Sequence, residues 1–387
     1  MRTTGVARGR GDNHARYFDY TLLFAVIFLI GFGLVMLYSV SSYEALSKFG
    51  DSAYYLNKQI RSVVIGLILM AVISFVPYPF WKKMSNAAYG LAFVLCLAVI
   101  FLGQDANGSQ RWLNIGGFSL QPSEIAKIAV IIYLAAVLSR MPKQIRYFKN
   151  VLLVLLRLVP ILIIIAYSNL STAIIIAGIA LLMMFVVSPV YSHFVGLLAI
   201  GGIGIAGFAI IAQYRSTRVK AWLHPEDYPD DVFQTLQGLY AIGSGGLFGK
   251  GLGGSIQKLG YVPEAQNDFI FTIIVEELGL FGAICLLALF VLLIWRFMVI
   301  ANNARDLFGS LLVIGVMCHV ALQVILNIAV VTNMIPNTGI TLPFISYGGT
   351  SIMMLLAEIG IVLNVSKSIP LRLEDSSEQV IEYGFKA

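Results

Sequence analysis

The sequence predicts an all-α polytopic membrane protein of ten transmembrane helices, with both termini cytoplasmic and a large extracytoplasmic loop between helices seven and eight. Three observations carry that expectation. Of the 387 residues, 58% are hydrophobic and only 12% charged, against about 25% charged in a soluble domain. Apolar runs recur along the whole length, so one polytopic domain explains them better than several soluble ones. The basic residues concentrate in alternate connections between those runs, as membrane topology requires.

Taken in order, residues 1–19 are polar and basic, with Arg2, Arg8, Arg10 and Arg16, and read as a cytoplasmic tail. The first apolar run, 20–40, has the length of a span and lacks a small-residue cleavage site, so it reads as a first span and not a signal peptide. Further runs cover 63–76, 87–102, 125–138, 151–167, 172–187, 194–212, 269–294, 311–331 and 352–363. Several fall below the usual ~20 residues, so their flanks must complete them. The spanning domain is expected over 20–367, the outer loop over 213–267 and a cytoplasmic tail over 368–387.

Orientation follows from charge. With the N-terminus inside, the inner connections hold Lys82 and Lys83, then Arg140, Lys143, Arg146 and Lys149, then Arg296 and Arg305, with Lys367, Arg372 and Lys386 at the end. The short outer connections hold only Lys48, Lys58, Arg61 and Arg111. The elaborate segments 108–124, 167–172, 263–268 and 337–351 then face one compartment, which predicts a single extracytoplasmic site built from loops on a rigid scaffold.

The net charge of +6 follows this topology and does not point to nucleic acid. Cys96, Cys285 and Cys318 lie in apolar runs and read as small buried hydrophobes. His14, His193, His224 and His319 are scattered, so no metal-ligand cluster is visible.

Chemistry is expected at Asp268, a carboxylate at the mouth of a membrane helix. An aspartate there can cap the helix, or act as a general base on a lipid-borne substrate. Glu264 lies four residues earlier; it is a solvated loop acid or, if the helix begins early, half of a carboxylate pair that splits roles or binds a divalent cation such as Mg or Mn. Glu276, Glu277 and Glu358 fall within spans and are expected to pair inside the bundle, with Arg157 and Lys127 as candidate partners. Glu124 and Lys127, three apart on one helix face, read as an ion pair, or with Arg111 as a clamp for a phosphate or pyrophosphate. Lys250 and Lys258 offer the same charge from the long loop. The glycine-rich run 241–254 lacks P-loop spacing; its glycines, like Gly348 and Gly349 beside Ser346, let backbone approach a ligand closely. Pro336 and Pro343 predict a re-entrant or kinked segment lining a cavity. Stretches 218–223 and 233–242 are amphipathic and suited to the interface plane.

Four of these segments together resemble one family: LPFISYGGTS (342–351), QPSEIAK (121–127), AIGSGGLFGKGLG (241–253) and PEAQNDFIF (263–271) are similar to motifs of the SEDS proteins, also called FtsW/RodA/SpoVE. The resemblance covers nearly all of the transmembrane region. It implies ten helices with both ends inside, in the bacterial cytoplasmic membrane. It implies a peptidoglycan glycosyltransferase that polymerises lipid II, an undecaprenyl-pyrophosphate-linked disaccharide peptide. Asp268 then matches the essential aspartate, deprotonating the acceptor 4-hydroxyl as lipid pyrophosphate leaves the donor. Arg111, Glu124 and Lys127 match a polar cluster of the family, and Arg218 its loop arginine. The implied partners are a class B penicillin-binding transpeptidase and other divisome or elongasome membrane proteins. The sequence departs from the family at Asn169, where an aspartate is usual, and at Asn267, where a threonine is usual. FQTLQ (233–237) leans to the division and sporulation branch. Two other readings are a lipid II flippase, from the buried charges Lys127, Arg157, Glu276 and Glu358, and a structural scaffold of a division complex.

Overall fold

The computed structural model describes residues 17–106, 109–115, 118–211 and 213–370. They form a helical bundle: α1 Tyr20–Phe49, α2 Tyr54–Phe75, α3 Pro79–Leu102, α4 Pro122–Arg140, α5 Phe148–Ser168, α6 Leu170–Val187, α7 Ser192–Ile211, α8 Gln213–Leu223, α9 Pro229–Gly245, α10 Ile270–Asn303, α11 Leu307–Val331 and α12 Gly349–Lys367. Among the described residues, nine of these are long and apolar enough to cross a membrane: α1 to α6 and α10 to α12. The 20-residue α7 occupies the next run. The short apolar runs 63–76 and 352–363 are completed by their flanks, as their length demanded.

Local chemistry sets the ends. Asp19 caps α1 by accepting from the Leu22 N–H at 2.8 Å, and Gly50 closes it in the left-handed region with φ 72°. Asp306 caps α11 through the Gly309 N–H at 2.7 Å. Prolines begin α3, α4 and α9, where their missing N–H leaves no bond unmade.

α4 lies at the centre, buried along nearly its whole length, with α11 and α12 also largely enclosed. Helices such as α2, α3 and α5 turn most of their apolar surface outward, as lipid-facing helices do. Small residues set the closest crossings: a Cβ on Gly360 would stand 2.7 Å from the Met70 carbonyl of α2, and one on Gly66 would stand 2.6 Å from Leu356 Cδ1 of α12.

Two regions expected as loops are structured. Part of the segment before α4 is a small antiparallel sheet, β1 Gln104–Ala106, β2 Ser109–Ile115 and β3 Phe118–Leu120, in the order β1-β2-β3. The amphipathic stretches of the long loop are α8 and α9.

α10 breaks at Gly279 (φ 68°). The chain after α9 repairs the break: Leu280 N–H donates to Gly246 O, Phe281 N–H to Leu247 O, Lys250 N–H to Glu276 O and Gly251 N–H to Glu277 O, at 2.9–3.0 Å. This docking requires glycine, because a Cβ on Gly249 (φ 79°) would stand 2.2 Å from the Glu277 carbonyl oxygen.

Ion pairs mark two levels along α10. Arg296 pairs with Asp19 at 2.5 Å at one end of the bundle. Glu277 pairs with Lys258 at 2.7 Å, on the other side of the break at Gly279. Asp268 lies nine residues before Glu277, on the N-terminal side of the break at Gly279.

Candidate functional site

Asp268 is the last residue but one of an irregular run, 246–269, and stands two residues ahead of the start of α10. The helix starts too late for Glu264 and Asp268 to share a helical face. Instead a tight turn joins them: Asn267 N–H donates to Glu264 O at 2.9 Å, and the Asn267 side-chain amide donates to Glu264 Oε2 at 3.0 Å. Glu264 adopts φ 49°, a conformation uncommon outside glycine. Asp268 does not form a side-chain cap on α10.

The segment 332–348 folds over this turn without regular structure, in agreement with the kink expected from Pro336 and Pro343. It is pinned from several sides. Asn327 on α11 donates from one amide to Asp268 O and to Ile340 O, both at 2.7 Å. Gln323 donates to Thr341 O at 3.0 Å. Ser171 of α6 donates to Thr338 O at 2.6 Å, and Trp222 of α8 to Asn333 O at 3.0 Å. Tyr347 N–H donates to Gln266 O at 2.9 Å, tying the two loops together. A Cβ on Gly339 (φ 68°) would stand 3.8 Å from Asp268 Oδ2, so this backbone passes beside the carboxylate.

Arg218 of α8 reaches the same place and donates to Asn337 O at 3.1 Å. Burial pushes the Asp268 carboxyl up to about 6; its own amide and Arg218 pull it down, while the Glu264 charge pushes it up. A carboxyl so placed is ionised at neutral pH and still basic enough to take a proton.

The other expected residues fall elsewhere. Lys250 and Lys258, read as phosphate holders, each neutralise a buried carboxylate. Lys250 Nζ lies 2.7 Å from Glu276, which also accepts from Ser255 Oγ and from Ile256 N–H. Lys258 Nζ lies 2.7 Å from Glu277, which also accepts from Ser39 of α1 at 2.8 Å. These partners replace the expected Arg157 and Lys127, for a geometric reason: the loop descends to the level of the α10 break, whereas Arg157 is exposed on α5. Glu358 pairs with His319 of α11 at 2.8 Å, both 1% exposed.

Glu124 and Lys127 form the expected pair at 2.9 Å, both buried in α4. Arg111 stands at the junction of α5 and α6, donating to Ser168 O at 3.1 Å, and lines a small cleft with Pro122, Ser123 and Asn169. Asn169 caps α6 through the Thr172 N–H at 3.2 Å, a task the side-chain oxygen of asparagine performs as well as that of aspartate. Ser346 accepts from Leu342 N–H at 2.8 Å, Gly348 N–H donates to Gln59 of α2 at 3.2 Å, and a Cβ on Gly349 would stand 2.8 Å from Ser62 Oγ. Gly348 and Gly349 seat the start of α12 against α2, and the Ser346 carbonyl accepts from Gln59 of α2 at 3.3 Å.

Among the described residues, three potential metal ligands come together at His224, Glu226 and Asp227, all exposed in the turn after α8.

Asn327 went unremarked in the sequence. Its signal was a polar stripe of His319, Gln323 and Asn327, four residues apart on an otherwise apolar run. The pairing of Lys250 and Lys258 with Glu276 and Glu277 had no local signal, because nineteen or more residues separate the partners.

A family model described as "Cell cycle protein" and labelled FtsW/RodA/SpoVE matches residues 20–370. The stage V sporulation protein E of Bacillus subtilis (strain 168) is 42% identical over 90% of this chain and 97% of its own. A probable peptidoglycan glycosyltransferase FtsW of Trichlorobacter lovleyi is 36% identical over 92% of this chain and 94% of its own. Among solved structures, a chain of a peptidoglycan synthase complex, studied for the coordination of polymerization and crosslinking, superposes with TM-score 0.76 at 27% identity, over 91% of this chain and 98% of that one. The rod shape determining protein RodA of Thermus thermophilus superposes with TM-score 0.69 at 26% identity, over 91% and 97%.

Proposed function

The chain belongs to the FtsW/RodA/SpoVE family and is a multi-pass peptidoglycan glycosyltransferase of the bacterial cytoplasmic membrane; from that premise we propose that Asp268 is the general base that polymerises lipid II. The observation that carries this is the position of Asp268: a carboxyl lifted to about 6, where the loop before α10 and the 332–348 loop meet.

We place α7 as the tenth span, both termini in the cytoplasm, and the end that bears Asp268 at the outer face. The distribution of Lys82, Lys83, Arg140, Lys143, Arg146 and Lys149 at the opposite end supports this orientation. The spanning domain is then 20–367, between tails 1–19 and 368–387, with the outer loop over 213–267. Lipid-linked sugar anchored in the outer leaflet presents its disaccharide at the membrane surface, where Asp268, ahead of the first residue of α10, would meet it.

In the reaction, Asp268 accepts the proton of the acceptor's sugar 4-hydroxyl. The oxygen forms a bond to C1 of the donor sugar, and the C1–oxygen bond to the pyrophosphate breaks. Lipid pyrophosphate leaves with its charge. Arg218 and Glu264 face the base and set its charge environment. Arg111, Lys127 with Glu124, and the loop of Ser346, Gly348 and Gly349 line or support the substrate groove; Lys250 and Lys258 hold the loop that carries the base. A class B penicillin-binding transpeptidase cross-links the strand as it leaves, alongside other division or elongation proteins.

The test uses purified protein, with that partner where needed, and lipid II. Wild type makes glycan strands and Asp268→Ala does not; strands of normal length and rate from the alanine variant remove Asp268 from the base role.

A further inference from the structure

One face of α11 carries His319, Gln323 and Asn327 at intervals of four, which stack along a helix. Each is almost fully buried and each reaches a different element: His319 the α12 carboxylate of Glu358, Gln323 the Thr341 carbonyl and hydroxyl, and Asn327 the carbonyls of Ile340 and Asp268. Polar side chains facing the interior of a membrane bundle are costly without a role. The last rung spends both amide hydrogens on the two loops that form the site.

We propose that Asn327 is the positioning residue of the transferase, a buried amide clamp that fixes the backbone of Asp268 relative to the 332–348 loop and so aims the carboxylate at the acceptor hydroxyl. This rests on Asp268 being the base. Three features support it. Asn327 is 0% exposed, so it does not touch substrate itself. Its two bonds, at 2.7 Å each, bridge residues 72 apart in sequence, 268 and 340. Gly339, next to the bridged Ile340, passes beside the Asp268 carboxylate. Truncating the clamp frees the peptide of Asp268 from α11, and a base displaced by about 1 Å can lose 10²-fold in rate.

The experiment compares Asn327→Ala, Asn327→Gln and Asp268→Asn with wild type in lipid II polymerisation, per mole of folded protein, with kcat, KM and the acidic limb of the pH–rate profile measured for each. The expected result for Asn327→Ala is a fall in kcat of tenfold or more, KM within about threefold, and a displaced acidic limb, because the carboxyl moves relative to Glu264 and Arg218. Asn327→Gln, which keeps the amide at a longer reach, should recover part of kcat and serves as the deciding variant if the alanine form does not fold. Wild-type kcat with an unmoved acidic limb in the folded variant overturns the proposal. If Asp268→Asn is inactive while Asn327 variants are normal, only the clamp fails; if Asp268→Asn polymerises, the underlying reading fails first.

Discussion

Lys258 Nζ lies 2.7 Å from Glu277 Oε1, and Ser39 of α1 bonds to both. The pair joins the loop before Asp268, the first helix and the break in α10 at one point. With the neighbouring Lys250–Glu276 pair, it ties the loop to the part of α10 before its break.

Removing both partners should therefore cost less than the two single removals added together. Lys258→Ala leaves Glu277 buried without its cation, at about 3–5 kcal/mol; Lys258→Ala with Glu277→Ala should cost less than Glu277→Ala and Lys258→Ala summed. Thermal unfolding in detergent reads the difference, and additive losses would show that the pair is not coupled.

Gly249 should tolerate no side chain. Its φ of 79° is strained for alanine, and the added Cβ would meet the Glu277 carbonyl at 2.2 Å. Gly249→Ala is expected to destabilise by at least about 2 kcal/mol, whereas Gly243→Ala, with open space at its Cβ, should be near neutral. The unfolding midpoints of the two variants check this directly.

The raised Asp268 carboxyl sets a pH dependence with a definite sign. A base near 6 must be ionised to act, so the polymerisation rate should fall about tenfold per pH unit well below 6 and level off above it. Stability runs the other way. The folded carboxyl holds its proton more tightly than the unfolded chain, where the value is about 3.9, so the native state loses stability as pH rises from about 4 to 6. Asp268→Asn should then be more stable at pH 7, by about 1–2 kcal/mol, while inactive. Denaturation at pH 3 and 7 should show that gain at the higher pH alone.

Much of the bundle was legible because its signals are local. Runs of apolar residues gave the spans, basic flanks separated the connections, and the motif PEAQND placed Asp268 ahead of a helix. The loop 332–348 was expected to be irregular from Pro336, Pro343 and its glycines, and it is. What escaped depends on contacts between distant residues. Lys250 and Lys258 looked like free cations for a phosphate, because Glu276 and Glu277 meet them only once the α9 tip docks on the α10 break. The partner expected of Glu358 is a lysine or arginine, and the partner it has is His319, one of four histidines scattered along the sequence. Asn327 was hidden in an apolar run whose period-four polar stripe has meaning only when Thr341, Ile340 and Asp268 stand opposite it.

The central claim is tested most directly by lipid II polymerisation with wild type and Asp268→Asn, each with and without the cross-linking partner, at pH 7. Strands from wild type and none from a folded Asp268→Asn are the predicted result. Strands of equal yield from both proteins would contradict it.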